Sequence, residues 1–271
     1  MEVKNDLSKI VDILLLNGTL TECPGLINGK MGVTIFFFHY AKVTGNNLFA
    51  DYAMDLIGEM LNQIHVNSSA DYEKGMAGIG VGVDYLIRNN FLNVEDNIFE
   101  DIDQRMVRAV MYDPWQDFSQ YNGLTGYGKY WVTRLQHQGA LVQAHQCLLR
   151  IIALIEQSDV FCLLFDLQRL TGFGHCVKLL EKIHREWGLE VLQSLFRLGN
   201  STVGNILRFF HHDRYLNDSL QDKFKLDLIS IPVLKFEIVP ASMGLLNGYA
   251  GEGMLRLTSL EQINTTWMEL L

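Results

Sequence analysis

Proline is scarce in this chain of 271 residues, and so is cysteine, with four of each. Few prolines leave long stretches free to be helical, because proline removes a backbone donor and breaks helix interiors. Cys23, Cys147, Cys162 and Cys176 are too scattered for a disulfide scaffold. They suit a reducing compartment, so a cytoplasmic location is expected. Clusters of Lys and Arg are missing too: 22 basic residues stand against 31 acidic ones, and the net charge of -9 excludes a phosphate-binding nucleic-acid surface. No continuous apolar run reaches about 18 residues, so no membrane span is expected. The opening Met1-Glu-Val-Lys-Asn-Asp lacks the basic, apolar, small-residue order of a signal peptide. No Gly-x-Ser-x-Gly, Walker A or His-Glu-x-x-His motif is present. Gly78-Ile-Gly80-Val-Gly82 is glycine-rich, but it opens a helical pattern rather than following a strand.

Glycine, in contrast, numbers 23 and is ordered. Gly25-Leu-Ile-Asn-Gly29-Lys-Met-Gly32 precedes the apolar run from Val33 to Tyr40. Gly75-Met-Ala-Gly78-Ile-Gly80, Gly123-Leu-Thr-Gly126-Tyr-Gly128, Leu170-Thr-Gly172-Phe-Gly174 and Gly248-Tyr-Ala-Gly251-Glu-Gly253 open four more such runs. Gly29 to Gly75 spans 46 positions, Gly75 to Gly123 spans 48, and Gly126 to Gly172 spans 46. Gly172 to Gly251 spans 79, room for one degraded copy or an insertion at 199–240. A period of this size marks a repeat architecture.

Each glycine group opens a helix that is apolar on all sides, and an amphipathic helix follows it. The first helix is expected to start at Asn5 or Asp6 and to end at Asn17-Gly18. The buried helix after Gly29 is expected to run to about Val43. In the window 48–64, Phe49, Tyr52, Ala53, Leu56, Ile57, Met60, Leu61 and Ile64 recur at helical spacing, with Asp51, Asp55 and Glu59 opposite. The alternation continues as inner 78–88, outer 94–111, inner 126–137, outer 140–155, inner 172–183, outer 186–198 and inner 251–260. Ile231 to Pro240 reads as an extended piece, flanked by prolines.

The fold class expected is therefore all-α, a single domain over 1–271. It is an α/α toroid in which inner helices form a barrel wrapped by outer ones, with five to seven helical hairpins. An open solenoid would leave a polar face on its inner helices, and Val33 to Tyr40 offers almost none. Asn28, Asn122 and Asn247 each precede a glycine and are expected to cap inner helices. Parallel inner helices would gather their N-termini at one mouth, lined by Asn28, Lys74, Asn122, Asn247, Tyr127 and Tyr249.

Gly25-Leu-Ile-Asn-Gly-Lys-Met-Gly32 and Gly244-Leu-Leu-Asn-Gly-Tyr-Ala-Gly-Glu-Gly253 resemble the glycine motif of the lanthionine synthetase C-like family. The resemblance covers roughly residues 5 to 260. It implies an α/α toroid and zinc chemistry that adds a cysteine thiol to a dehydroamino acid of a precursor peptide. In that family zinc is held by a Trp-Cys-x-Gly element and a Cys-His-Gly element. Where the Cys-His pair would fall, this chain has Ile27-Asn28, Glu73-Lys74, Tyr121-Asn122 and Leu246-Asn247. Trp115, Trp131, Trp187 and Trp267 are not followed by Cys. The resemblance thus implies a family member whose zinc-dependent cyclisation is lost or altered, with a peptide-binding or accessory role beside a peptide-modifying enzyme.

His175, Cys176 and Cys23 are the candidate ligands should zinc be held by a rearranged set. His145-Gln-Cys147 sits on an outer helix, and His211-His212-Asp213 at a helix end. Glu252 and His175 are the catalytic candidates; Glu252 lies where a helix N-terminus favours a carboxylate. A second reading is a carbohydrate-active toroid enzyme of glycoside hydrolase type, using the loop carboxylates Asp71, Asp113 and Asp117 as general acid and base.

Overall fold

The structure is a computed structural model, and it describes residues 2–65, 67–93, 96–114, 117–158, 174–187 and 242–271. The expected extended piece at 231–240, the degraded hairpin at 199–240, the His211-His212-Asp213 cluster and most of the outer helix at 186–198 lie outside those residues.

The described residues are all-α, with no strand among them. They contain α1 (Glu2–Asn17), α2 (Lys30–Thr44), α3 (Leu48–Gln63), α4 (Met76–Arg88), α5 (Glu100–Met111), α6 (Leu124–Arg134), α7 (Leu141–Gln157), α8 (174–187) and α9 (Tyr249–Ser259). Short 3-10 turns at Asp96–Phe99, Gln138–Ala140 and Thr266–Leu270 complete them. Residues 2–109 with 242–271 form one compact unit, and the described residues from 110 to 187 belong to another.

Buried and amphipathic helices alternate from α2 to α7, whereas α8 and α9 are buried on one side only, with Lys178 and Ser259 exposed. In α2 every residue from Lys30 to Ala41 except Tyr40 is buried. Its partner α3 buries only the stripe Ala53, Leu56, Ile57 and Met60. Their hairpin is closed by aromatic rings: Phe37 stacks on Phe49 at 6.0 Å and meets Tyr52 edge-on at 4.9 Å, while Tyr40 meets Phe49 edge-on at 4.8 Å. Such pairs contribute about 0.5–1.5 kcal/mol each beyond the area they bury. Helix α4 is buried from Met76 to Leu86, whereas α5 buries Ile102, Met106 and Ala109. In the second unit α6 is buried almost throughout, and it packs on α7, which buries Ala144, Cys147, Leu148, Ile151, Ile152 and Ile155.

The stretch Gln138–Gln157 is long and apolar enough to cross a membrane by length and composition. Its buried stripe shows that its apolar side packs within the protein. It escapes a search for continuous apolar runs because His145, Gln146 and Arg150 interrupt it.

Two boundaries differ from expectation. Helix α1 begins at Glu2, ahead of Asn5 and Asp6. Asp6 instead pairs with Arg256 of α9 at 3.6 Å. The described inner helices begin directly after Gly29, Gly75, Gly123 and Gly248, two residues before Gly32, Gly78, Gly126 and Gly251.

Candidate functional site

The four described glycine groups build one and the same loop. The N-cap is glycine in each case, Gly29, Gly75, Gly123 or Gly248, in extended conformation and with no side-chain cap. The helix's first N–H donates instead to the carbonyl seven residues before it. Lys30 bonds Cys23 at 2.9 Å, Met76 bonds Ser69 at 2.8 Å, Leu124 bonds Asp117 at 2.8 Å and Tyr249 bonds Ser242 at 3.1 Å. The chain folds back onto its own helix start, so main chain meets main chain. A Cβ on Gly78 would overlap the Tyr72 carbonyl oxygen, and one on Gly251 the Leu245 carbonyl oxygen. Glycine is required there by close approach rather than by unusual dihedrals.

This corrects the expected asparagine caps. Asn28 turns its side-chain amide to the Glu73 carboxylate at 2.5 Å. Asn247 holds a left-handed backbone, φ 55°, and is exposed. Asn122 is exposed, and its backbone N–H donates to the Ser119 hydroxyl at 3.3 Å. The loop carbonyl supplies the acceptor that a capping side chain would otherwise supply.

In the first unit three of these loops join. Leu246 N–H donates to the Ile27 carbonyl, and Ile27 N–H donates to the Glu73 carbonyl, both at 3.1 Å. Loop 242–248 is thereby tied to loop 23–29, and that loop to loop 69–75. Gly25 and Gly244 are needed at the joints, since a Cβ on either would strike the main chain of the neighbouring loop. The N-termini of α2, α4 and α9 therefore gather at one end, where their partial positive charges add. Asn28, Lys74 and Asn247 stand on these joined loops, with half-buried Tyr249 following Gly248. Lys74 is exposed and pairs with Glu73 at 3.7 Å. Asn122 and Tyr127 belong to the other unit, where Tyr127 is buried.

The candidate metal ligands do not fit zinc. A zinc site needs three or four thiolate, imidazole or carboxylate ligands at tetrahedral spacing. Among the described residues no three His, Cys, Asp or Glu side chains gather in such a group. Cys23 stands in loop 23–29, and burial pushes its thiol up; Gly25 N–H and Lys74 counter this, while Asp71 and Glu73 reinforce it. Cys176 is fully buried, and burial, reinforced by Asp117, raises its thiol to about 12. It is a small core hydrophobe. His175 accepts the Gln120 N–H on Nδ1 at 3.1 Å, which leaves that nitrogen engaged. Its pKa is lowered, by burial first and then by Lys178, with Asp117 opposing. Cys147 lies on the buried stripe of α7.

Glu252 is a structural partner. Its carboxylate takes both Arg256 Nε at 2.9 Å and an Arg256 terminal nitrogen at 2.7 Å. The loop carboxylates are likewise committed to their loops. Asp71 accepts the Lys74 N–H at 2.6 Å, the Gly75 N–H at 3.1 Å and the Ser69 hydroxyl. Asp117 accepts the Ser119 N–H at 2.8 Å and its hydroxyl at 2.7 Å. Asp113 is exposed.

Four polar residues of the inner helices and their loops were not anticipated. His39 Nε2 meets the Tyr85 hydroxyl at 2.8 Å, and both are buried. The Tyr72 hydroxyl donates to the Leu270 carbonyl at 2.7 Å, and Thr258 accepts from Trp267 at 3.0 Å. The repeat register held the signal. His39, Tyr85 and Thr258 each stand ten residues after an N-cap glycine, at one level of their helices. Compared with protein-family models, curated proteins and solved structures, the chain gives no match.

Proposed function

We propose that this chain is a lanthionine synthetase C-like α/α toroid, one domain over 1–271, that binds a precursor peptide. Its role is that of an accessory to a peptide-modifying enzyme rather than of a zinc cyclase. The observation that carries the reading is the gathering of three inner-helix N-termini through loops 23–29, 69–75 and 242–248. Their main-chain ties fix a rigid polar end, and Asn28, Lys74 and Asn247 stand on it. The ring has its own support. Helix α9, the last inner helix, packs on α1, the first helix, and on α2, the first inner helix. An open solenoid keeps its first and last repeats apart, whereas a closed ring brings them together. The missing family ligands, with Asn28 and Lys74 at the Cys-His offset, favour binding over thiol activation.

The test is a fluorescence-anisotropy titration with a labelled 25-residue synthetic peptide containing Ser, Thr and Cys. Saturable binding is expected, weakened about ten-fold by Lys74→Glu, which reverses an exposed charge beside the gathered helix ends; that ratio corresponds to about 1.4 kcal/mol. Equal binding by the variant would remove the site from this end of the molecule. No binding at all would end the peptide reading.

A further inference from the structure

The segment after α9 lies on the inner helices of its own unit. Trp267 is 1% exposed and Leu270 is 3% exposed. Trp267 Nε1 donates to the Thr258 hydroxyl at 3.0 Å, and the Leu270 carbonyl accepts from the Tyr72 hydroxyl at 2.7 Å. The Thr266 hydroxyl lies beside that of Tyr85, which also meets His39. The contacts follow the repeat. Thr258 and Tyr85 occupy the tenth position after their N-cap glycines, and His39, at the same position of α2, supports Tyr85. Tyr72 belongs to loop 69–75. The segment thus runs along α4, from Tyr85 near its C-terminal end to the loop at its N-terminus, where the three inner helices gather.

Within the segment, Met268 N–H donates to the Thr265 carbonyl and Leu271 N–H to the Met268 carbonyl. Glu261, Gln262, Asn264 and Thr265 before it are exposed, as is Glu269 within it. An aromatic anchor, an aliphatic anchor three residues later and a solvated residue between them is how a short peptide docks through a few buried side chains.

We propose that Thr266–Leu270 is a tethered ligand: it fills in cis the seat that a peptide with an aromatic residue, and an aliphatic one three positions later, takes in trans. The inference rests on the peptide-binding reading and adds to it a recognition pattern and an autoinhibitory strap. A short flexible tether gives an effective concentration on the order of millimolar, so a free peptide competes poorly until the strap is released.

The experiment uses the full chain with a protease site inserted after Gln262, in the exposed stretch. The probe is a fluorescein-labelled synthetic peptide of residues 262–271. After cleavage the probe is expected to bind saturably, at least ten-fold tighter than to the uncleaved chain, with helical circular dichroism unchanged. In the uncleaved chain Trp267→Ala is expected to raise probe affinity by a similar factor. Failure of the probe to enter either form, or loss of the helical signal on cleavage, overturns the proposal and makes the segment an integral part of the core. The Ser/Thr/Cys peptide is then added as competitor. If it displaces the probe, the seat is shared. If it binds without displacing the probe, the strap lies outside the peptide site and the proposal falls while peptide binding stands. If it binds neither form although the probe does, the broader peptide-modification reading falls instead.

Discussion

Gly251 and Gly58 separate two kinds of glycine that a composition count merges. A Cβ on Gly251 would overlap the Leu245 carbonyl oxygen, which cannot swing aside because it is main chain in a loop tied at both ends. Gly58 lies exposed within α3, with nothing within 4 Å of a built Cβ. Gly251→Ala is expected to destabilise by about 2–4 kcal/mol through backbone displacement. Gly58→Ala is expected to stabilise by about 0.5–1 kcal/mol, because glycine in a helix interior is entropically unfavourable. Urea unfolding of the two variants checks both signs. Lys30 is a buried cation with an exposed partner. Its side chain is 3% exposed and pairs with Glu59, which is 40% exposed, at 2.5 Å. Removing the exposed partner strands a buried charge, whereas removing the buried one leaves a carboxylate that water can solvate. Glu59→Gln is therefore expected to cost about 2 kcal/mol and Lys30→Met less than about 1 kcal/mol, read from the same unfolding curves. A reversed order would show that Glu59 needs Lys30 more than Lys30 needs Glu59.

Helices α2 and α4 are joined at their far ends by His39 and Tyr85, with Phe91 packed edge-on against His39 at 4.8 Å. Burial, with a smaller push from Lys42, lowers His39 to about 4 from its ordinary 6.5. The unfolded chain therefore takes up this proton first as the pH falls. The stabilisation is complete above pH 6.5 and is lost progressively between 6.5 and 4, up to about 3 kcal/mol. Denaturant unfolding at pH 7 and pH 4.5 is expected to show a loss of about 2–3 kcal/mol that His39→Gln largely removes; a variant with the same pH slope would place the titrating group elsewhere. At this scale much of the architecture is legible in the sequence. The runs 30–44 and 48–63 differ in periodicity, and the structure gives one helix buried all round and one with a single stripe. The glycine groups mark the helix starts, but the carbonyl each one makes room for lies six residues back in a loop, and no periodicity reports a loop's path. Asn28, Asn122 and Asn247 have the composition of caps, yet a folded-back main chain does that work. The seat of Trp267 escapes for another reason: a 3-10 turn of five residues is too short to show a pattern.

Within the first unit, the packing of α9 on α1 and α2 brings the last helix to the first. Arg256 holds this junction, with Glu252 on its own helix and Asp6 on α1. It is 23% exposed, so the pair to Glu252 is only partly screened. Arg256→Ala is expected to cost about 1–2 kcal/mol and to speed amide hydrogen exchange in α1 ahead of α3. Uniform acceleration in both helices would mean that Arg256 stabilises the unit as a whole rather than this junction. In the proposed function, the gathered N-termini of the inner helices bind peptide with no need of zinc. The measurement that meets it most directly is the anisotropy titration of the Ser/Thr/Cys peptide, run on one protein preparation with and without a strong zinc chelator. Saturable binding with the same affinity in both conditions is the predicted result. Binding that disappears with the chelator and returns with one equivalent of zinc would contradict the account.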